Sequence, residues 1–401
     1  MFLLKNADDK YIIFPIGIKK YQVRRRIMKK TVLKVIAILL CAVILAMPLL
    51  TAFAGNDAFA ENAYANIVTV SDCQDWGSLA FVRFAKILNY MKNDGLPEPD
   101  SVLAGGDFSR AMSNYATLGI IELREAYCSV YTGADPDAVI CCQGNHDLHV
   151  ANFPPSGIYD MSTYNLWLIN EDDFPWEQYD GSSKEAQVKA LAAKMEATFD
   201  LLIRAGDMRP VIVLTHVPLH HSPRSSYGDN MYSSYLFNVI NKAAETLDII
   251  FLFGHNHSGK SDDYIGGSIN YMAPGDTIRI PTGEERGAEC YTVETLNFTY
   301  TNCGYIGYCN NSENDTSTKA LALGLIRFLP DRFIFLKYTE KGGFLRKDVV
   351  ERKNTAKENE MVVRTEAKRM EHHNSALWNT ELAVLGPIIR FFLSMFTAFV
   401  L

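Results

Sequence analysis

Cysteine is scarce in this chain, with eight in 401 residues. Setting aside Cys41, which falls in an apolar leader near the N-terminus, leaves Cys73, Cys128, Cys141, Cys142, Cys290, Cys303 and Cys309, an odd number, so at least one thiol stays unpaired and a dense disulfide scaffold is excluded. Compositional bias is missing too. With 48% hydrophobic and 21% charged residues the chain can bury one sizeable core or two modest ones, and disorder over most of its length is excluded. No repeat occurs at solenoid periods. Positive charge is in deficit: the formal net charge is −7, and residues 1–60 carry ten Lys/Arg against three Asp/Glu, which leaves −14 on the remainder. An acidic body of that kind repels a phosphate backbone, so nucleic acid is excluded as the main partner.

The ends of the chain carry segments of their own. Met28-Lys29-Lys30 opens a basic stretch, residues 35–50 are almost unbroken apolar, and residues 52–54 and 58–60 both read A-x-A, the pattern of a bacterial secretory signal. Translation is expected to start at Met28, and the mature N-terminus at Gly55 or Glu61. Such a signal predicts an extracytoplasmic protein, secreted or membrane-associated; an uncleaved anchor is the other reading of the same run. Residues 341–382 are charge-rich and read as a solvated helix or linker. Residues 383–401 are apolar except for Arg390, Ser394 and Thr397, which share one helical face. That stripe suits an interfacial amphipathic helix touching a membrane surface, or a helix docked on the protein's own core.

Between them, residues 61–340 alternate strands and helices. The run 66–71 ends in Asp72-Cys73-Gln74 and is followed by a helical pattern at 78–92; Ser101-Val102-Leu103-Ala104 runs into Gly105-Gly106-Asp107; a second helix at 111–130 leads to 138–142, which stops at Gly144-Asn145-His146-Asp147. This βαβαβ order predicts a layered α/β sheet. Cys141 and Cys142 read there as small buried hydrophobes. An aromatic and acidic insertion at 148–181 reads as a functional loop or lid, in which Trp167 and Trp176 cover a substrate group or pack the insertion down. A helix at 183–205, a strand at 210–214 ending in Thr215-His216-Val217-Pro218, a helix at 235–246 and a strand at 249–253 delivering Gly254-His255-Asn256-His257 complete the alternation. Runs at 268–281, 296–308, 320–328 and 332–338 then predict a second, largely antiparallel sheet, with Pro330-Asp331 turning the last pair. Cys303 and Cys309 flank a Gly-rich loop, where they either pair or stay free.

The chemistry is carried at the strand ends. Asp72, Asp107, Asn145, His216, His255 and His257 each come just past a strand. Carboxylate and amide oxygens with imidazole nitrogens are the ligands that divalent ions of phosphoryl transfer prefer, and a carboxylate with two oxygens can touch two ions at once. Each residue alone is weak evidence. The ordered set on strand ends is not.

That set resembles the calcineurin-like metallophosphoesterase family over residues 66–338. The resemblance implies an α/β fold, a four-layer α/β/β/α sandwich of two mixed sheets, with a dinuclear metal centre at the carboxyl ends of the strands. It implies that Asp72, Gln74, Asp107 and His257 hold one ion and Asp107, Asn145, His216 and His255 the other, with Asp107 bridging. The cofactors implied are two divalent ions, Mn, Fe or Zn. The reaction implied is hydrolysis of a phosphate mono- or diester, small or part of the cell envelope, by a hydroxide between the metals, with His146 as the catalytic residue beside the leaving group.

Two positions depart from the family pattern. The first motif usually reads Asp-x-His, and here Gln74 stands third, an oxygen donor that favours Mn²⁺. The second motif usually continues to another Asp, and here Arg110 stands there. Asp147 can take over the orientation of His146, and Arg110 either contacts substrate phosphate or begins a surface helix. His220 and His221 line the cleft as substrate contacts or face solvent. The two functions open to this sequence are a metal-dependent phosphoesterase and a catalytically weakened cell-surface binding protein on the same fold.

Overall fold

The fold is taken from a computed structural model, which describes residues 3–5, 11–13 and 61–354 apart from 75–78, 109–114, 148–152, 176–180, 221–229, 257–268, 284–290, 308–320 and 341. Residues 1–60 and 61–401 are separate compact units. In the first, β1 (Leu3–Lys5) and β2 (Tyr11–Ile13) pair antiparallel. The secretory signal, the start at Met28, the segment 383–401, Arg110, His221, His257, Trp176, Cys290 and Cys309 all lie outside the described residues. Among the described residues no helix is long and apolar enough to cross a membrane.

The second unit opens with the predicted alternation. β3 (Ala65–Val70), α1 (Leu79–Asn93), β4 (Ser101–Ala104), α2 (Tyr115–Val130) and β5 (Val139–Cys141) follow one another, and the three strands pair parallel. Next come β6 (Gly157–Asp160), β7 (Asn165–Ile169), α3 (Gly181–Ala205), β8 (Val211–Thr215), α4 (Ser233–Ala243) and β9 (Ile249–Phe253). The remaining elements are strands: β10 (Tyr271–Met272), β11 (Thr277–Pro281), β12 (Tyr291–Thr295), β13 (Thr299–Asn302), β14 (Gly304–Tyr305), β15 (Ala322–Phe328), β16 (Arg332–Thr339) and β17 (Phe344–Glu351).

Two mixed sheets result. One runs β17-β16-β15-β3-β4-β5 with β14 beside β15; the other runs β10-β13-β9-β8-β7-β6. The strands that carry the site are buried on both faces, and their alternate side chains serve different layers. In β8 and β9, Ile212, Leu214, Ile250 and Leu252 meet Ile67, Leu103, Ile140 and Ile326 of the opposite sheet. Val211, Val213, Ile249, Phe251 and Phe253 turn the other way, onto Val188, Met195 and Phe199 of α3 and Leu236, Phe237 and Ile240 of α4. This is the two-residue period of a strand sandwiched between layers, and each large apolar side chain so buried contributes about 1.5–3 kcal/mol. Helix α1 closes the far face, burying Phe84, Ile87, Leu88 and Met91 at helical spacing. The layers are therefore α/β/β/α, the sandwich that the family resemblance implies.

Three expectations are corrected. The later strands do not gather into one second sheet: β15, β16 and β17 extend the first sheet from the edge of β3, β13 and β10 extend the other from β9, and β11 and β12 pair as a separate antiparallel ribbon. The insertion at 148–181 holds the paired strands β6 and β7, and Trp167 lies in the middle of β7, fully buried among Val213, Phe174 and Val188, so it packs the core and covers no substrate. The domain also runs past 340, since β17 pairs along β16 where a solvated helix or linker is predicted. There Arg352 is buried against Asp248 at 3.3 Å and stacks its guanidinium over Tyr64 and Phe333. Of the cysteines, Cys73, Cys128, Cys141, Cys142 and Cys303 are free thiols, and Cys141 and Cys142 are buried in the core as expected.

Candidate metal centre

Strands β3, β4 and β5 of one sheet and β8 and β9 of the other end at one place. Main-chain bonds lace these ends together: Gly105 N–H donates to Val70 O at 2.7 Å, Asp72 N–H to Gly106 O at 3.0 Å, and Gly254 N–H to His216 O at 3.0 Å. The chain is strained where it turns. Among the described residues four other than glycine have a left-handed backbone, and three of them, Asp72 (φ 54°), Asp107 (φ 60°) and His255 (φ 64°), stand here. Such conformations persist where the surroundings enforce them, typically at functional sites. Two glycines permit the approach. A Cβ on Gly254 would lie 2.0 Å from Ser71 Oγ and 3.0 Å from His216 Nδ1, and one on Gly144 would lie 2.4 Å from Asp107 Oδ1.

The side chains converge on a buried point. His216 Nδ1–H donates to Gly105 O at 2.7 Å, which orients the ring and turns Nε2 inward. Around Nε2 stand Asn145 Oδ1 at 2.9 Å, His255 Nδ1 at 3.2 Å and Asp107 Oδ2 at 3.4 Å. His255 Nδ1 is itself 3.0 Å from Asn145 Oδ1, and its main-chain N–H donates to both oxygens of Asp72, at 3.2 and 3.0 Å. One ligand atom each from Asp72, Asp107 and His216 lies within 4.8 Å of the others.

The electrostatics point the same way. Burial opposes the charged form of Asp107, but His216 beside it and the His146 N–H hold its carboxyl well below the usual carboxylate range. Burial likewise opposes an imidazolium at His216, yet Asp107 foremost and Asp72 push it up to about 10. Two buried carboxylates share that one imidazole, so without a metal a proton on Nε2 supplies the positive charge that a cation would bring. This donor set fits a hard or borderline divalent cation.

The remaining predicted residues differ in what they do. Gln74 is buried, and its side-chain NH₂ donates to Asp107 Oδ2; turning the amide about its last bond would present Oε1 there instead. Asp147, expected to orient His146, is a clamp on the main chain: it accepts from Asp107 N–H at 2.7 Å, Phe108 N–H at 2.8 Å and Gly144 N–H at 2.9 Å. No described residue hydrogen-bonds His146 Nδ1, which is buried. The main-chain N–H of His146 donates to Asp107 Oδ1 at 2.9 Å. His220 does not line an open cleft. It is 1% exposed, packed edge-on against Phe253, and its Nδ1 accepts from the Tyr300 hydroxyl at 2.8 Å.

Two groups of site residues carry no motif in the sequence. Tyr300 receives the Leu219 N–H at 2.9 Å and so holds the loop after His216. Asn170 accepts the N–H of Gln143 at 2.9 Å, just ahead of Asn145. Only the turn-forming character of Asn170 could have signalled it.

Part of the chain matches a known family, and solved structures are similar to it at low identity. The family described as calcineurin-like phosphoesterase matches residues 65–259. Among solved structures the chain is similar to a dimetal phosphatase from Danio rerio, with 10% identity, TM-score 0.40 and coverage of 73% of this chain and 100% of that one. It is also similar to GAP50, the anchor in the inner membrane complex of Plasmodium, with 12% identity, TM-score 0.42 and coverage of 75% and 93%. A predicted phosphoesterase from Streptococcus pneumoniae aligns at 10% identity with TM-score 0.31, over 73% of this chain and 100% of that one. No curated protein matches the chain. The segment that supplies every strand end of the centre, residues 65–259, is the part of the chain that matches the calcineurin-like phosphoesterase family.

Proposed function

We propose that this protein is an exported phosphoesterase that uses two divalent ions to hydrolyse phosphate mono- or diesters. The observation that carries the reading is the meeting of Asp72, Asp107, Asn145, His216 and His255 from two sheets at one buried point, with Asn145 Oδ1, His255 Nδ1 and Asp107 Oδ2 2.9–3.4 Å from His216 Nε2. Asp72, Gln74, Asp107 and His257 would hold one ion, and Asp107, Asn145, His216 and His255 the other, with Mn²⁺ favoured because oxygen donors dominate. When bound, the ions would supply positive charge to the phosphoryl oxygens and a nucleophilic water near neutral pH. His146 is assigned to the leaving-group oxygen, with Nδ1 or Nε2 as the proton carrier. Export rests on the signal pattern of residues 28–60, and the substrate class on chemistry and location together: a small phosphoester or one of the cell envelope. Contact of 383–401 with a membrane surface belongs to the same picture.

One observation favours the second reading, a binding protein that keeps the fold. The Gln74 amide donates to the carboxylate oxygen that a bridging ligand needs. Metal analysis and assays of nitrophenyl phosphate and bis-nitrophenyl phosphate with added Mn²⁺ decide between them. Hydrolysis that falls by about 10³-fold or more in Asp107→Ala, together with loss of metal, establishes the enzyme. Wild-type metal content in that variant, or no turnover by metal-loaded protein on a panel of esters, establishes the alternative.

A further inference from the structure

The chain returns to the site after the family match ends. β13 runs parallel to β9 and places Asn302 opposite Phe253, two residues before His255. Asn302 is fully buried, and each of its polar groups has a defined partner. Its N–H donates to Asn270 O at 2.9 Å, its Oδ1 accepts from Gly304 N–H at 2.7 Å, its carbonyl accepts from Lys337 Nζ, and its Nδ2 donates to Asn256 Oδ1 at 2.6 Å. Asn256 is the residue between His255 and His257, and its own Nδ2 donates onward to Ile269 O at 2.8 Å. The neighbouring Cys303 is pinned to both sheets: its N–H donates to Phe253 O at 2.7 Å, and its carbonyl accepts from Thr69 Oγ1 at 2.7 Å. A link of hydrogen bonds thus runs from Lys337 of one sheet through Asn302 to Asn256, the residue next to His255.

We propose that Asn302 is a positioning residue for the metal centre, acting through Asn256 to hold the neighbouring His255 in its ligating orientation, with Lys337 fixing Asn302 in turn. The proposal rests on the reading of His255 as a metal ligand. His255 adopts a left-handed backbone next to Asn256; Asp72 holds that turn at the His255 N–H, and the Asn302 amide holds it at Asn256 from β13. Neither Asn302 nor Lys337 lies within the matched segment, 65–259.

The test is Mn²⁺ titration of the metal-stripped full chain, read by the electron-spin signal of free Mn²⁺, with thermal melting alongside. Asn302→Ala should weaken Mn²⁺ binding by about 10–100-fold, as loss of groups that orient ligands does. Asn256→Ala should weaken it to the same degree, and the double variant should be no weaker than either single one, because both cut one link. Wild-type affinity in a folded Asn302→Ala protein overturns the proposal, and so does a double variant whose losses multiply. Should Asn302→Ala not fold, Asn256→Ala alone decides: undiminished affinity overturns the link, and the expected loss supports it. His255→Ala separates the two levels of inference. If it binds Mn²⁺ like wild type, the ligand assignment fails and the link falls with it; if it loses Mn²⁺ and Asn302→Ala does not, the link alone fails.

Discussion

Asp147 accepts the main-chain N–H of Asp107 at 2.7 Å, so the last residue of one strand-end motif sets the backbone of another. Its two oxygens hold three N–H groups in all, and an Asn there would offer a single carbonyl oxygen while pointing an NH₂ at a donor. A buried donor left unsatisfied costs about 1–3 kcal/mol. Asp147→Asn should therefore lose roughly 3 kcal/mol in urea unfolding of the metal-free protein. If unfolding is unchanged and only turnover falls, Asp147 is a catalytic group and not a clamp.

Gln74 bears on metal content. An amide donor is weaker than imidazole, and here the amide is engaged with Asp107 Oδ2. The purified protein should carry less than two ions, and Mn²⁺ should raise its activity by something like 10-fold. Gln74→His should tighten the site it shares with Asp72 and shift that site's preference toward Zn²⁺. Equal, tight binding of two ions by wild type and Gln74→Ala would remove Gln74 from the coordination sphere.

Lys337 gives a pH dependence with a definite sign. Burial lowers its pKa from 10.5 to about 8. Below about 8 the ammonium is charged in both folded and unfolded chains, and its desolvation cost is present in full. Between about 8 and 10.5 the folded protein sheds the proton while the unfolded chain keeps it, so this group's contribution to stability rises with pH. Buried thiols such as Cys303, pushed up to about 12 by burial, act in the opposite direction. The difference in stability between Lys337→Met and wild type isolates the lysine. Lys337→Met should be the more stable near pH 7, with its advantage shrinking toward pH 10; a constant difference would show that Lys337 is charged throughout.

The far edge of the first sheet is open to truncation. A chain ending at residue 340 loses β17 and strips the buried Asp248 of Arg352. Removing one partner of a buried pair costs about 3–5 kcal/mol. That chain should unfold or melt far below one ending at residue 356, as circular dichroism would show.

Much of this fold is legible because a strand buried on both faces is a continuous apolar run, and β3, β4, β8 and β9 are such runs ending in polar residues. Among the strands not foreseen, β7 and β17 are hidden for opposite reasons. β7 is five residues set among aromatic and acidic neighbours, too short a run to stand out inside a long insertion. β17, FLRKDVVE, carries the charges of a sheet edge, which read equally well as a solvated helix. The metal-type residues are visible because their side chains are unusual at strand ends. Asp147 and Asn302 act on main-chain groups and amides distant in sequence, and no local pattern records such partners.

The ligand atoms come from two sheets that meet through interdigitated Leu and Ile side chains, among them Leu103, Ile140, Leu214 and Leu252. The separation of Asp107 from His216 is thus gauged by the thickness of the hydrophobic layer beneath them as well as by the loops above. Adding or removing one methylene at Leu103 or Leu214 slides or tilts one sheet against the other, and the ligands travel with it. The interior acts as a spacer for the chemistry, which makes activity sensitive to apolar residues that touch neither metal nor substrate.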